Sequence, residues 1–365
     1  MLSELTVILI SILSFLLPTQ LGLHFNNLSS TVYGFRIDYL TPTIYLTDLI
    51  VLPIIFLSFL KMKFKKKHSL FGVFYIGFVL SNILISGYQL ASVYKWLKIT
   101  EMILLGVVLV NTKKFDIFKH FFKPLSYSMV VVCILGIFQF LSKGSIGGIF
   151  YWLGERNFFF SDPNIAPYPY STFSHPNSFA GFLFVFAIFL LKFKRKLSSR
   201  LFWTLLSLVA VNLILTNSLN VYVSIIVLLI IKFSKIYSFS LFVVDLSQRT
   251  ISHRIELISA SWKMIKENWL LGVGLNNFIP NLPRISKTFL NAWELQPVHN
   301  IFLLIFSEVG VVGFGLFCFL LFNTAMTSEL IAILLTGLSD HYWLTLQQNL
   351  LLFTYVLSLS KRSQK

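Results

Sequence analysis

The chain has 365 residues, of which 56% are hydrophobic and only 12% are charged, and 39 of them are phenylalanine. A soluble core cannot bury that much apolar side chain, and several apolar runs approach the roughly 20 residues that cross a bilayer. The composition therefore excludes a soluble domain and predicts an all-α, polytopic helical membrane protein, with residues 1–365 forming a single integral domain. Cys133 and Cys318 lie in separate apolar runs and predict neither a disulfide framework nor a metal site.

The net charge of +16 is concentrated in short clusters that follow apolar runs. Lysine and arginine in such positions mark the cytoplasmic loops of membrane proteins, where they face anionic lipid. The placement indicates a lipid bilayer, and no nucleic acid, as the partner of these charges. The clusters are Lys61–Lys67, Lys113–Lys123, Lys192–Arg200, Lys232–Lys235 and Lys361–Lys365.

About ten to twelve apolar runs predict transmembrane helices, and the basic clusters predict that both termini are cytoplasmic. The runs at 236–246 and 329–341 are short for a span, so tilted or re-entrant segments are alternatives there. The other runs lie at 4–17, 44–60, 70–86, 94–111, 125–141, 174–191, 201–216, 219–233, 299–322 and 344–359.

The longest predicted outer loop, 248–298, begins with an amphipathic helical pattern. Arg254 lies at the edge of the predicted apolar face. A guanidinium directed towards the membrane needs an anionic partner, and phosphate suits its planar set of donors. An arginine that snorkels at the membrane interface is the alternative. The predicted apolar face consists of Ile251, Ile255, Ile258, Trp262, Ile265 and Trp269.

The most informative segment is the start of the predicted span 299–322. His299 and Asn300 stand where the helix dipole disfavours imidazolium, and a neutral imidazole suits a general base because it accepts a proton from a hydroxyl. Gly310 and Gly313 are predicted to share a helical stripe with His299. Glycines in that stripe would let a neighbouring helix pack closely beneath the imidazole.

Two more polar segments adjoin predicted spans on the outer side. His175 and Asn177 begin a span after a loop, where helix capping competes with substrate contact as the interpretation. Asp340 and His341, near the end of the chain, either bind a sugar or pair with each other at an interface.

Three motifs, which follow one another along the chain in the family's order, resemble the O-antigen ligase and O-antigen polymerase (Wzy-like) family of bacterial membrane glycosyltransferases. The family's hallmark, His-Asn, nine residues and Gly-x-x-Gly, is matched by His299, Asn300, Gly310 and Gly313. Upstream, SHRIELISASWKMIKENWLLGVGLNNF resembles the family's arginine, amphipathic helix and Gly-Val-Gly turn. Further upstream, STFSHPNSFAGFL resembles its Gly-Thr-Phe-x-His-Pro-Asn element.

The resemblance implies a metal-independent transfer, without a cofactor, of a glycan from an undecaprenyl-diphosphate carrier to a glycan, lipid or protein acceptor. It places this reaction in cell-surface polysaccharide synthesis, at the extracytoplasmic face of the bacterial inner (cytoplasmic) membrane. Carried over by position, the catalytic residues are Arg254, which holds the diphosphate, and His299, which activates the acceptor hydroxyl. The expected substrate-binding residues are Arg249, Arg284, Asn300, His175, Asn177 and Arg156.

The sequence departs from the family pattern at two arginine positions, which are occupied by Tyr168 and Leu219. Loss of two cations on the outer face would weaken diphosphate binding unless Arg156, Arg249 and Arg284 replace them. An inactive ligase-like protein is therefore one alternative function.

A secondary transporter is the alternative from another functional class. Ionisable residues inside the predicted spans are scarce, and no pair of interrupted helices relates two halves of the chain. The acidic candidates for ion coupling are Asp48, Glu101 and Glu308.

Overall fold

The computed structural model describes residues 2–26, 30–60, 66–159, 161, 165, 167–234, 248–286 and 294–364. These residues are mostly helical, which confirms the predicted all-α polytopic membrane class. Among the described residues, three helices are long and apolar enough to cross a membrane, and six shorter apolar helices accompany them. The three are Phe118–Ser142, which begins with a π-helical turn at Phe118–Phe122, Ser199–Thr216 and Ile301–Phe322. The number of crossings stays a prediction, since the run 236–246 lies outside the described residues.

The helices follow the predicted runs to within a few residues. α13 ends at Gly337, so Asp340 and His341 lie in a connection after it and not at the end of the predicted run 329–341. In chain order the helices are α1 (Leu2–Leu16), α2 (Asp48–Phe59), α3 (Lys66–Leu84), α4 (Gln89–Asn111), α5 (Lys123–Ser142), α6 (Ile149–Trp152), α7 (Pro176–Lys192), α8 (Ser199–Thr216), α9 (Leu219–Ser234), α10 (Gln248–Glu267), α11 (Phe278–Ile285), α12 (Ile301–Phe322), α13 (Ser328–Gly337), α14 (Tyr342–Thr345) and α15 (Gln347–Arg362).

Local capping signals explain several helix boundaries. The side chain of His175 accepts a hydrogen bond from the backbone N–H of Asn177, and Pro176 supplies the first residue of α7. Ser198 and Thr327 cap α8 and α13 in the same way through their hydroxyl groups. These caps satisfy backbone donors that would otherwise be unpaired at the membrane surface.

Four short strands that were not predicted from the sequence lie in the described part of the connection between α1 and α2. β1 (Gly22–His24) pairs antiparallel with β4 (Thr43–Tyr45), and β2 (Thr31–Val32) pairs with β3 (Phe35–Arg36). Tyr33 and Gly34 connect β2 to β3 with positive φ angles of 49° and 81°. A two-residue turn of this kind matches the twist of a tight hairpin, so the strands follow from local turn chemistry.

Helix α7 lies at the centre of the bundle, and most of its side chains are buried. Its phenylalanines pack against aromatic residues of neighbouring elements, for example Phe186 on Phe122, with ring centroids 5.6 Å apart. The helix α3 differs, because it exposes Leu70, Phe71, Phe74 and Leu80. Apolar side chains exposed in this number suit contact with lipid, as expected at the edge of a membrane bundle.

The described basic clusters gather at one end of the bundle. Arg362 donates to the carbonyls of Leu109, Thr112 and Phe115, which join α4 to α5. Lys192 forms an ion pair of 2.8 Å with Glu329 at the same end. α7 separates Lys192 from His175 by the whole helix, about 26 Å at 1.5 Å per residue. His175 and the segments around it therefore lie at the opposite end.

Candidate functional site

At the end of the bundle opposite the basic clusters, four segments meet. They are the start of α7, the first turns of α10, the residues before α12 and the connection between α13 and α14. Ligand-type atoms of His299, Asp340 and His341 all lie within 4.8 Å of one another. The rings of the two histidines have centroids 5.1 Å apart at an angle of 56°.

Asn300 has a structural role that the sequence analysis did not assign. Its side-chain oxygen caps α12 by accepting hydrogen bonds from the backbone N–H groups of Phe302 and Leu303, at 2.9 and 3.0 Å. Its amide nitrogen donates to the carbonyl of Leu338 at 2.9 Å. Asn300 thus ties the start of α12 to the connection that carries Asp340. Its role in substrate binding stays a prediction.

His299 precedes α12, so the predicted helical stripe that joins it to Gly310 and Gly313 is wrong. The ring nitrogen Nδ1 is buried and has no hydrogen-bond partner among the described residues. Burial, together with the nearby His341, holds the pKa of His299 well below its ordinary value. The imidazole is therefore neutral near pH 7, as a general base requires.

The predicted helical stripe from His299 to Gly313 is also interrupted by a break in α12 at Gly310, where φ is 61° and ψ is −169°. The turn after α10 docks into this break through backbone hydrogen bonds. Val273 N–H donates to the carbonyl of Ser307 at 2.9 Å, and Val311 N–H donates to the carbonyl of Trp269 at 2.8 Å. The family's Gly-Val-Gly turn and its Gly-x-x-Gly element therefore meet in space.

Both sides of this contact require glycine. A Cβ atom at Gly310 would lie 2.3 Å from the carbonyl oxygen of Leu270, and one at Gly272 would lie 2.3 Å from the carbonyl carbon of Glu308. Gly272 also has a positive φ of 74° at the end of α10. The two motifs thus form a backbone-to-backbone lock that fixes α10 against α12.

Asn82 of α3 completes the lock, and no motif or periodic pattern pointed to this residue. Its amide donates to the carbonyls of Leu271 and Glu308, at 2.7 and 3.1 Å. Its side-chain oxygen accepts from the indole N–H of Trp96 and from the backbone N–H of Leu275. All of its hydrogen-bonding capacity is used, as expected for a fully buried amide.

Arg254 projects from α10 towards this cluster and has few partners. One N–H group lies 3.4 Å from the carbonyl of Ser339, and its buried Nε has no partner among the described residues. Its positive charge lowers the pKa values of His299 and His341, so it acts within the same small volume. The guanidinium therefore retains donors for an anion.

The orientation of α10 differs in part from the prediction, since Ile265 of the predicted apolar face is buried but other members are not. Leu257 and Met264 are fully buried, whereas Ile255, Trp262 and Trp269 of the predicted apolar face are 60%, 49% and 59% exposed. The helix consequently has a face buried in protein and a separate apolar face turned outwards. Trp and Ile in that position suit the membrane–water interface.

The connection after α13 supplies Asp340 and His341. Nδ1 of His341 lies 2.9 Å from the hydroxyl of Thr345, which in turn lies 3.2 Å from the backbone carbonyl of His341. Because the hydroxyl donates to that carbonyl, it accepts from Nδ1–H, and Nε2 carries the lone pair. Burial lowers the pKa of His341 to about 4, against the opposing effect of Asp340.

Asp340 accepts a hydrogen bond from the backbone N–H of His341 at 2.8 Å, and the amide of Asn177 lies 3.5 Å from its other oxygen. Burial alone would raise its pKa, but interactions with the neighbouring histidines and with Arg254 lower it overall. Asp340 is thus the anionic centre of a group of cationic and imidazole side chains.

The other predicted site residues separate into two sets. Arg156 donates to the carbonyl of Ser174 beside His175 and lies at the rim of the site. Arg284 instead pairs with Glu267 at 2.9 Å on an exposed surface, far along α10 from Arg254. The side chain of Arg249 lies outside the described residues.

Two further residues join the site without having been predicted. The ammonium of Lys95 on α4 donates to the carbonyl of Leu344 at 2.6 Å, next to His341. The ring of Tyr39 packs edge-on against His341 with centroids 5.5 Å apart. Each comes from an element remote in sequence, so periodicity and motif spacing contain no signal for either.

The fold and the site together define a helical membrane protein that carries an arginine, two imidazoles and a carboxylate at one end of its bundle. Residues 172–318 match the family model Wzy_C, described as O-Antigen ligase, which supports the family predicted from the motifs over that part of the chain. The match supports a membrane glycosyltransferase role in polysaccharide synthesis. It includes His175, Arg254 and His299 and ends before Asp340. No curated protein and no solved structure matched the chain.

Proposed function

We propose that the protein transfers a glycan from an undecaprenyl-diphosphate carrier to an acceptor hydroxyl, as an O-antigen ligase or polymerase. The observation that carries this proposal is the convergence of Arg254 and His299. Arg254 retains unpaired N–H donors in a buried place, and His299 has a neutral imidazole in the same cluster. A guanidinium fork suits a diphosphate, and a neutral imidazole suits proton abstraction.

The proposed reaction is a single displacement at the anomeric carbon. The acceptor oxygen forms a bond to that carbon while its proton passes to His299, and the bond from the carbon to the diphosphate oxygen breaks. Undecaprenyl diphosphate leaves with its negative charge stabilised by Arg254. Asp340 stabilises the imidazolium that forms, because its carboxylate lies within 4.8 Å of the His299 ring nitrogen.

Two cations support replacement of the missing family arginines. Arg156 lies at the rim beside His175, and Lys95 lies beside His341 on the other side of the cluster. Together with Arg254 they would supply three cations to a diphosphate bound at this end of the bundle. Arg284 is a poor replacement because Glu267 already neutralises it.

The arrangement of charge supports an extracytoplasmic site. The described basic clusters lie at the end of the bundle opposite His299, and such clusters remain in the cytoplasm in bacterial membrane proteins. We therefore place the site at the outer face of the bacterial inner membrane, where a lipid-linked glycan would meet its acceptor.

The acidic residues considered for a transporter are engaged in structural contacts. Lys98 forms ion pairs with Asp48 and, at 3.7 Å, with Glu101. A side-chain oxygen of Glu308 accepts from the backbone N–H of Phe278 at 3.2 Å. These contacts tie helices together and favour a structural role for the charges. An inactive ligase-like protein remains the alternative that experiment must separate.

The first prediction tests the two proposed catalytic residues in the native host. The chromosomal gene is replaced by a copy that encodes His299→Gln or Arg254→Gln. Surface polysaccharide is then measured by gel electrophoresis, and the amount of the protein in the membrane is measured by immunoblot. We expect glycan transfer to fall at least about 100-fold in each variant while the protein still accumulates in the membrane, since general-base catalysis and charge stabilisation each contribute that much.

Matched controls are His120→Gln and Arg200→Gln, which alter the same residue types at the opposite end of the bundle. Both should retain wild-type transfer. Wild-type polysaccharide in the His299→Gln strain would refute the proposed base, and an unchanged phenotype on deletion of the gene would support the inactive alternative. The carrier-linked intermediate separates the two reaction types, because loss of a ligase leaves long chains on the carrier and loss of a polymerase leaves single units.

A further inference from the structure

We propose that His299, Asp340 and His341 form a binding site for a divalent transition-metal ion, represented by Zn²⁺, and that the bound ion inhibits glycan transfer. The sequence analysis expected no metal site. The binding itself is independent of the proposed function, whereas the inhibition rests on it.

The set of ligands suits a borderline-soft metal. One carboxylate and two imidazoles recur in sites for Zn²⁺ and related ions, and Mg²⁺ prefers oxygen ligands. The ligand-type atoms lie within 4.8 Å of one another, while tetrahedral zinc with bonds of about 2.0–2.1 Å needs them about 3.3 Å apart. All three residues lie outside the long helices, in two connections, so rotation of their side chains can close this distance.

The hydrogen bonds around His341 already suit a metal ligand. Nδ1–H of His341 donates to the hydroxyl of Thr345, so the lone pair lies on Nε2. Metal-bound histidines usually make such an outer hydrogen bond through the ring nitrogen that does not hold the metal.

His299 provides an independent observation. Its Nδ1 is buried without a hydrogen-bond partner among the described residues, and an unpaired buried polar atom costs free energy. Coordination of that nitrogen would satisfy it. Arg254 and Lys95 are close enough to oppose a second positive charge, so we expect micromolar affinity and not the tight binding of a structural zinc site.

Inhibition follows from the chemistry of the lone pair. A nitrogen that coordinates a metal cannot accept a proton from an acceptor hydroxyl. The added charge also compensates Asp340, which then no longer stabilises an imidazolium. Transfer is thus expected without metal and is expected to stop when the site is filled.

The test measures binding directly on the full chain, purified in detergent without a polyhistidine tag. Isothermal titration with ZnCl₂ should show one site per chain with micromolar affinity. His341→Gln, Asp340→Asn and His299→Gln should each weaken this binding by about tenfold or more. His120→Gln should leave it unchanged, and MgCl₂ should not compete.

Three variants at different positions protect the test against misfolding, and each must elute from size-exclusion chromatography as the wild-type protein does. Absence of micromolar Zn²⁺ binding in the wild type, or equal binding by all three variants, would overturn the site. Added ZnCl₂ should stop polysaccharide transfer in isolated membranes, and a chelator should restore it. Binding without inhibition would refute only the regulatory half, and binding in a protein with no transfer would leave the site standing without the proposed function.

Discussion

His341 illustrates how neighbouring groups control the chemistry of single residues in this protein. Its tautomer is fixed by Thr345, and its low pKa follows from burial in a cluster that also contains Arg254. The motif residue His299 was predicted from sequence as the neutral base, and its environment agrees with that chemistry. For His341 and Asp340 the sequence left sugar binding and a simple pair as alternatives, because the role of these side chains depends on residues far away in sequence.

The lowered pKa of His341 predicts a loss of stability in mild acid. The folded protein holds this imidazole neutral down to about pH 4, whereas an exposed histidine takes up a proton below about pH 6.5. Stability is therefore fully present above pH 6.5 and falls as the pH drops from 6.5 towards 4, by an amount on the order of 1–3 kcal/mol. Thermal unfolding in detergent at pH 7.5 and 5 measures this difference.

The variant His341→Gln separates this residue from all others that titrate in the range. It should unfold with a smaller difference between the two pH values than the wild type shows. An equal difference in both proteins would mean that His341 titrates normally in the folded state.

At the scale of elements, the lock between α10 and α12 explains why two glycine motifs occur together. The turn after α10 enters the break at Gly310, and backbone groups of both elements exchange hydrogen bonds. Arg254 and His299 lie on the two elements so joined, at a distance that neither element sets alone. Both motifs are visible in the sequence. Their glycines were predicted to let a helix pack beneath His299, whereas in the structure a turn docks at Gly310.

The substitution Gly310→Ala should destabilise this lock. The new Cβ would lie 2.3 Å from the carbonyl oxygen of Leu270, and the backbone conformation at φ 61° and ψ −169° is open almost only to glycine. We expect a loss of stability on the order of 2–4 kcal/mol, seen as a lower thermal midpoint in detergent and less protein in the membrane.

Gly315→Ala is the matched control in the same helix, since no described atom outside the local helix backbone lies within 4 Å of its added Cβ. It should leave stability unchanged or raise it slightly, because alanine favours a helix over glycine. If both variants were equally stable, the break at Gly310 would not be a structural requirement.

At the scale of the whole molecule, charge is distributed along the bundle axis. The described clusters of lysine and arginine collect at one end, and the site with its buried Asp340 lies at the other. The basic clusters that follow the apolar runs in the sequence predicted this asymmetry through the positive-inside rule. The tertiary structure shows in addition that the four segments of the site converge at the end opposite the basic clusters.

Cysteine labelling tests the orientation of the bundle. In a Cys318→Ala background, where the remaining Cys133 is buried, a single cysteine is placed at exposed Lys143 on the site end or at exposed Ser199 on the basic end. A membrane-impermeant maleimide should label Lys143→Cys in intact spheroplasts, and it should label Ser199→Cys only after the membrane is opened. The reverse pattern would place the site in the cytoplasm and would contradict the proposed glycan donor.

The sequence alone determined the helical membrane class, most helix positions and the motifs that resemble O-antigen ligases. These follow from hydrophobic runs, basic clusters and short motifs, all of which are local properties of the chain. It also predicted His299 and Arg254 as catalytic residues, and both lie within the matched segment 172–318. The strands of the first loop were missed because the hydrophobic runs dominated the pattern.

Only the tertiary structure decided which polar residues share one site. Asp340, His341 and Lys95 meet His299 because α4, α12 and the connection after α13 converge. Arg284 is excluded from that cluster by its pairing with Glu267. Such proximity depends on how helices pack over the whole chain, and no local pattern of residues encodes it.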